Sequence, residues 1–147
     1  MKNAIIALIA KPGTGKLTVA KEIVKRTDAI LVDNHLINNP LFSLFKEKDG
    51  KMQIPDTIWN YCSKIWHVVL DAILNETDKD SSYILTNYLD ESDPADKAWL
   101  NEIEEFANKK GASFIPVRLL LSDIEEHKKR IISHERKERM KLTDATI

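Results

Sequence analysis

The chain has 147 residues, 43% of them apolar and 31% charged, with a formal net charge of -1. That suffices for one domain around one core and is too little for two. The near-neutral total supplies no overall field to gather nucleic acid or an anionic membrane. One cysteine, Cys62, excludes an internal disulfide framework and suits a reducing compartment; it falls in an apolar helical pattern and reads as core rather than nucleophile.

The chain opens Met1-Lys2-Asn3 and then runs apolar from Ala4 to Ala10, like a short signal peptide. Lys11 and Pro12 end that run, and no small-x-small cleavage site follows in a suitable place. No stretch approaches the roughly 20 apolar residues a membrane span needs, so a soluble, cytoplasmic protein is expected. Residues 4–9 (AIIALI) predict a strand buried on both faces. A Gly/Pro turn follows, and Lys16–Arg26 carries Val19, Ala20, Ile23 and Val24 at helical spacing. Residues 29–32 (AILV) predict a second buried strand. Residues 34–39 read as a polar turn that Pro40 ends, and 42–50 as weakly patterned with a charged turn.

Pro55 is expected to open a long helix with Asp56 and Thr57 in its first turn. Its stripe is Ile58, Cys62, Ile65, Val69 and Ile73, widened by Trp59, Trp66 and Leu70, and it reads as core. Residues 83–88 (YILTNY) predict a third strand, 94–110 a helix stopped by Gly111, and 114–121 (FIPVRLLL) a fourth strand in which Pro116 marks a bulge or an edge. Ser122 then caps a helix to about Ser133, supported by Asp123 and Glu125. Strand and helix alternate throughout, which means a parallel sheet with helices on both faces and ligands outside the carboxyl ends of the strands.

The stretch Lys11-Pro12-Gly13-Thr14-Gly15-Lys16-Leu17-Thr18 lies between the first buried strand and the first helix. Glycines 13 and 15 let the backbone curl and turn N–H groups inward as an anion nest, and the helix start adds its partial positive charge. Lys16 can then reach the β- and γ-phosphates of a bound nucleotide as a mobile charge, and Thr18 can offer its hydroxyl to the α-phosphate. Two positions depart from the G-x-x-x-x-G-K-[ST] pattern. Ala10 stands for the first glycine, and Leu17 for the hydroxyl residue that normally ligates Mg²⁺.

On these residues the chain resembles the P-loop small-molecule kinases, the group of shikimate, gluconate and nucleoside monophosphate kinases. KPGTGKLT resembles their nucleotide loop, Asp33-Asn34-His35 their acceptor segment, and Arg130 to Arg139 their arginine-bearing lid. The resemblance implies a three-layer α/β/α P-loop NTPase fold with strand order about 2-3-1-4. It implies one domain over 1–147, with an acceptor region at 34–54 and a lid-like segment at 130–147. A complete member would add a fifth strand and a helix, so a shortened or naturally minimal chain is expected, with a fourth-strand edge open to pairing.

The activity implied is transfer of the ATP γ-phosphoryl group to a small-molecule acceptor with Mg²⁺, by a monomer or homodimer that binds neither membrane nor nucleic acid. Lys16, Asp33, Arg130, Arg136 and Arg139 would be catalytic, residues 11–18 would hold the nucleotide, and Thr18 and Asp33 would face the metal. Read from the residues alone, Asp33 is a base, a metal ligand, or an N-cap or turn aspartate, and Asn34 and His35 are acceptor contacts or turn residues. The segment after His127 is a phosphate-clamping lid or a charged helix face. Asn87 ends the third strand at the same sheet edge, Arg118 has no assigned role, and His67 and His134 lack partners at metal-ligand spacing. The position where hydrolytic NTPases place an acid reads Thr86-Asn87, and Asp90 falls too late for it. A nucleotide-binding module without transferase activity, and an ATPase subunit of a larger assembly, are the competing readings.

Overall fold

A computed structural model of the protein describes residues 1–48, 51–89 and 94–121. In chain order the elements are β1 (Ala4–Ala10), α1 (Lys16–Arg26), β2 (Ile30–Val32), α2 (Asn34–Phe42), β3 (Glu47–Lys48), β4 (Lys51–Met52), α3 (Ile58–Glu76), β5 (Tyr83–Asn87), α4 (Pro94–Lys110) and β6 (Ser113–Leu119). Four of the strands form one parallel sheet in the order β2-β5-β1-β6. In chain order of those four this is the expected 2-3-1-4. The expected helix from Ser122 and the segment 130–147 lie outside the described residues.

β1 is central because its residues can be buried on both sides: Ile5, Ala7 and Leu8 are fully buried. Alternate residues feed two clusters on opposite faces. Ile5 and Ala7 join Trp66, Leu70 and Ile73 of α3 and Ile103 and Phe106 of α4. Ile6 and Leu8 join Ala20 of α1, with Val19, Ile23 and Val24 packed alongside. Burial of each large side chain stabilises by about 1.5–3 kcal/mol, so the faces of β1 anchor helices on both sides.

Four expectations need correction. Residues 34–42 are a helix rather than a polar turn. Asp33 caps it by accepting the His35 N–H, and Pro40 lies inside its last turn, where it can give no N–H to the carbonyl four residues back. β2 is an edge of the described sheet rather than a buried strand, with Ile30 48% exposed. β6 forms the other edge, and Pro116 lies there in unbroken register with Ala7, so of the two alternatives the sequence offers it takes the edge. α3 starts at Ile58, after a tight turn in which Ile58, Trp59 and Asn60 N–H groups bond three residues back. Trp59 is more than half exposed and meets Phe42 edge-on at 5.5 Å, so it is no core residue.

The amino end of the sheet is tied together by Asn3, which adopts φ 47°, a left-handed conformation that asparagine tolerates. Its N–H donates to Asp80 O, its carbonyl accepts from Ser113 N, and its amide accepts from Lys110 and donates to Gly111 O. Burial pulls the Lys110 ammonium below its usual range, against Asp78 and Asp80, which favour its charge. No helix among the described residues is long and apolar enough to cross a membrane.

Gly111 ends α4 as the sequence predicts: at φ 69° its N–H bonds Asn108 O, and Ala112 N–H bonds Ala107 O. A Cβ there would meet nothing within 4 Å, so only backbone strain opposes it. Gly111→Ala is expected to cost about 1–2 kcal/mol, read as a lower midpoint in urea at unchanged slope.

Cys62 is buried on α3, and burial pushes its thiol up. The folded state therefore keeps a proton that the unfolded chain releases above about 8.5. The thiol's contribution to stability is full below that value and is lost as pH rises through the raised one. Cys62 is expected to react with a thiol reagent only at the rate of unfolding, and urea midpoints at pH 8 and 10 should show the loss, absent in Cys62→Ala.

Candidate functional site

Because the sheet is parallel, the connections leaving β1 and β2 emerge at one edge, and β5 ends between them. The site follows from that placement. The loop after β1 curls rather than extends: Thr14 N–H and its hydroxyl both donate to Lys11 O, at 3.3 and 2.6 Å. Gly13 and Gly15 take φ of 83° and 92°, a region where a side chain would be strained. Gly15 also caps α1 with no side-chain hydrogen bond and no acid in the first turn. The helix start is thus left with its positive end open to an anion.

Lys16 folds back over this loop. Its Nζ donates to Ala10 O at 3.2 Å and to Asn87 O at 2.7 Å, the carbonyl ends of β1 and β5. Leu17 is half-buried and Thr18 exposed in the same first turn, while Lys11 is exposed and Pro12 half-buried. The expected loop residues are thus gathered at the carboxyl edge of the sheet.

Asp33 stands at the end of β2 with its side chain 14% exposed. Its Oδ1 accepts from the His35 N–H at 3.2 Å, from His35 Nδ1 at 2.8 Å and from the Thr86 hydroxyl at 3.2 Å. The carboxylate fixes the His35 ring with Nδ1 as the donor. Asp33 is therefore the N-cap of α2, and a constrained one. Asn34 donates its N–H to the Thr86 hydroxyl at 3.1 Å. Asn87 contributes its backbone carbonyl to Lys16, while its side chain turns back to accept from Tyr88 N–H.

Thr86 is the residue that sequence reasoning undervalued. It is 1% exposed, and in sequence it stands out only where an acid is missing. A hydroxyl at the end of an otherwise apolar strand was the available signal. His67 bridges helices instead of serving a site, its Nε2 lying 2.8 Å from Glu102. Arg118 is exposed on β6, opposite Ile9. Among the described residues no three His, Cys, Asp or Glu side chains are grouped to hold a metal ion. Arg130, Arg136, Arg139, His134 and Asp90 lie outside the described residues.

No protein-family profile matches the chain, and no curated protein matches it by sequence. Solved structures do. A "putative kinase" from Chloroflexus aurantiacus J-10-fl is 14% identical, with a TM-score of 0.61 over 94% of this chain and 70% of that one. A chain of the Pnkp1/Rnl/Hen1 RNA repair complex is 16% identical, with a TM-score of 0.61 over 93% of this chain. The match spans 39% of that longer chain. At such identities the likeness is one of fold: this is an α/β protein with a kinase-like parallel sheet.

The capping role of Asp33 can be probed by substitution. Asp33→Ala removes the cap and is expected to cost about 1 kcal/mol. Asp33→Asn keeps an oxygen acceptor at the cap and should lie within a few tenths of wild type; thermal melts of the two variants check this.

Proposed function

We propose that this chain has the three-layer P-loop NTPase fold, binds ATP at residues 11–18 and transfers its γ-phosphoryl group to a hydroxyl or phosphate of a small metabolite. The observation that carries the reading is the meeting of two groups on consecutive residues of β5. Lys16 is bonded to the Asn87 carbonyl and Asp33 to the Thr86 hydroxyl, on Cα atoms about 3.8 Å apart. A cation suited to phosphate and a carboxylate suited to an acceptor hydroxyl are thereby each tied to one of two adjacent residues of the same strand, at the mouth of a loop shaped for an anion. The kinase-like fold supports the same reading.

In the proposed reaction the first-turn N–H groups of α1 and the Lys16 ammonium hold the phosphates. Lys16 leaves the two carbonyls and follows the charge that develops toward the β–γ bridging oxygen. The acceptor oxygen forms its bond to the γ-phosphorus as the bond to that bridging oxygen breaks. The acceptor's proton passes to Asp33, and ADP leaves. Mg²⁺ would neutralise charge on the β- and γ-phosphate oxygens. Asp33 would be the carboxylate to hold it, with Thr18 the hydroxyl on the first turn of α1 that would face it, whereas Leu17 offers no oxygen. Arg130, Arg136 and Arg139 are proposed to close over the phosphates. The protein would work in the cytoplasm, as a monomer or homodimer.

A second reading, a nucleotide-binding module without transfer, is favoured by Leu17 alone. The two are separated by titrating the intact protein with ATP and then supplying γ-labelled ATP with an acceptor panel. The panel holds sugars, polyols, hydroxy acids, nucleosides, nucleoside monophosphates and an oligoribonucleotide with free terminal hydroxyls. Label is expected in one acceptor class, and Lys16→Ala should weaken ATP binding at least tenfold, about 1.4 kcal/mol. Tight ATP binding with no acceptor labelled would leave the module reading; no measurable affinity for ATP would remove both.

A further inference from the structure

We propose that Thr86 is a positioning residue for the transfer step, holding the Asp33 carboxylate at a fixed place relative to Lys16; this rests on the transferase reading above. Thr86 is 1% exposed and follows the buried Tyr83, Ile84 and Leu85. Valine has the same shape and would suit the end of a buried strand, so a hydroxyl there needs partners. It has them, all at the start of α2. The oxygen accepts the Asn34 N–H at 3.1 Å, and its one proton is shared between Asp33 Oδ1 at 3.2 Å and Asn34 Oδ1 at 3.3 Å.

Those bonds do something that the His35 bonds do not. His35 belongs to α2, so its ring and N–H fix the carboxylate only within its own helix. Thr86 belongs to β5, and the carbonyl of the next residue, Asn87, receives the Lys16 ammonium. The span from carboxylate to ammonium thus crosses one peptide unit of a central strand. A rigid peptide is the shortest ruler available between two connections that leave different strands. Without the hydroxyl, α2 can shift on the sheet while its own cap stays intact. A misplacement of about 1 Å at a reacting group can cost on the order of 100-fold in rate. Thr86 need touch neither nucleotide nor acceptor to have this effect.

The test uses the full chain, γ-labelled ATP and whichever acceptor of the panel above is labelled fastest. Thr86→Val is expected to lower kcat at least tenfold while nucleotide affinity, read with a fluorescent ATP analogue, stays within about twofold. Thr86→Ser, which keeps the hydroxyl and loses the methyl, is expected to recover most of kcat. Should Thr86→Val not fold, Thr86→Ala is read by the same criteria. Wild-type kcat in the hydroxyl-free variant overturns this inference alone, leaving the transferase reading in place. So does a serine variant as slow as the valine one, or a loss of nucleotide affinity in step with kcat. A wild-type protein that binds ATP and labels no acceptor overturns both.

Discussion

Parallel pairing is the constraint from which the rest follows. It sends every strand toward one edge and every strand-to-helix connection out of that edge. With β5 lying between β1 and β2, the loop holding Lys16 and the turn holding Asp33 can meet only at the end of β5. The ammonium settles on carbonyls of β1 and β5, where a charged hydrogen bond is worth about 1.5–3 kcal/mol. That interaction sets a threshold as well as a position. On the proposed reading, an anion entering the loop has to offer Lys16 more than these carbonyl oxygens do, and a polyphosphate with several charged oxygens meets that condition far better than a neutral ligand.

Much of this was legible because the signals were local. β1, α1 and α4 carry their periods from end to end, and α4 is closed by a glycine whose left-handed φ no other residue adopts as easily. α2 was hidden because Asn34, Asn38, Asn39 and Pro40 are all turn formers by composition. The competing force was the Asp33 cap, together with burial of Ile37 against the α3–α4 side of the sheet. β3 and β4 have two residues each, too few for any period to register. Trp59 lies beside the buried Ile58 at the start of α3, yet it is more than half exposed and its ring meets Phe42 instead.

The site divides in the same way. Lys16 and the glycines were readable because their motif is continuous in sequence. The Asp33–Thr86 contact was not, because it joins residues 53 positions apart through a strand order that sequence pattern alone leaves open. Thr86 entered the reading only as a missing acid. Its function as a donor emerges once β2 and β5 are neighbours, paired through Val32 and Leu85 one residue earlier on each strand.

Leu17 is the position where the proposed chemistry departs furthest from its motif, and charge decides how much that matters. A serine or threonine hydroxyl at this place is a neutral ligand, and Mg²⁺ ordinarily keeps several waters in its shell. A water can take the place of such an oxygen with no change in the net charge around the phosphates. What Leu17 removes is a fixed ligand direction, not a compensating charge. On the proposed reading, fixing the metal's direction then passes to Asp33, the carboxylate that the described residues place at the site, and that carboxylate is held by three donors on a single oxygen. A chain that gave up a ligand on α1 would need an unusually well-fixed Asp33, and the bonds to His35 and Thr86 are the kind of restraint that meets this need.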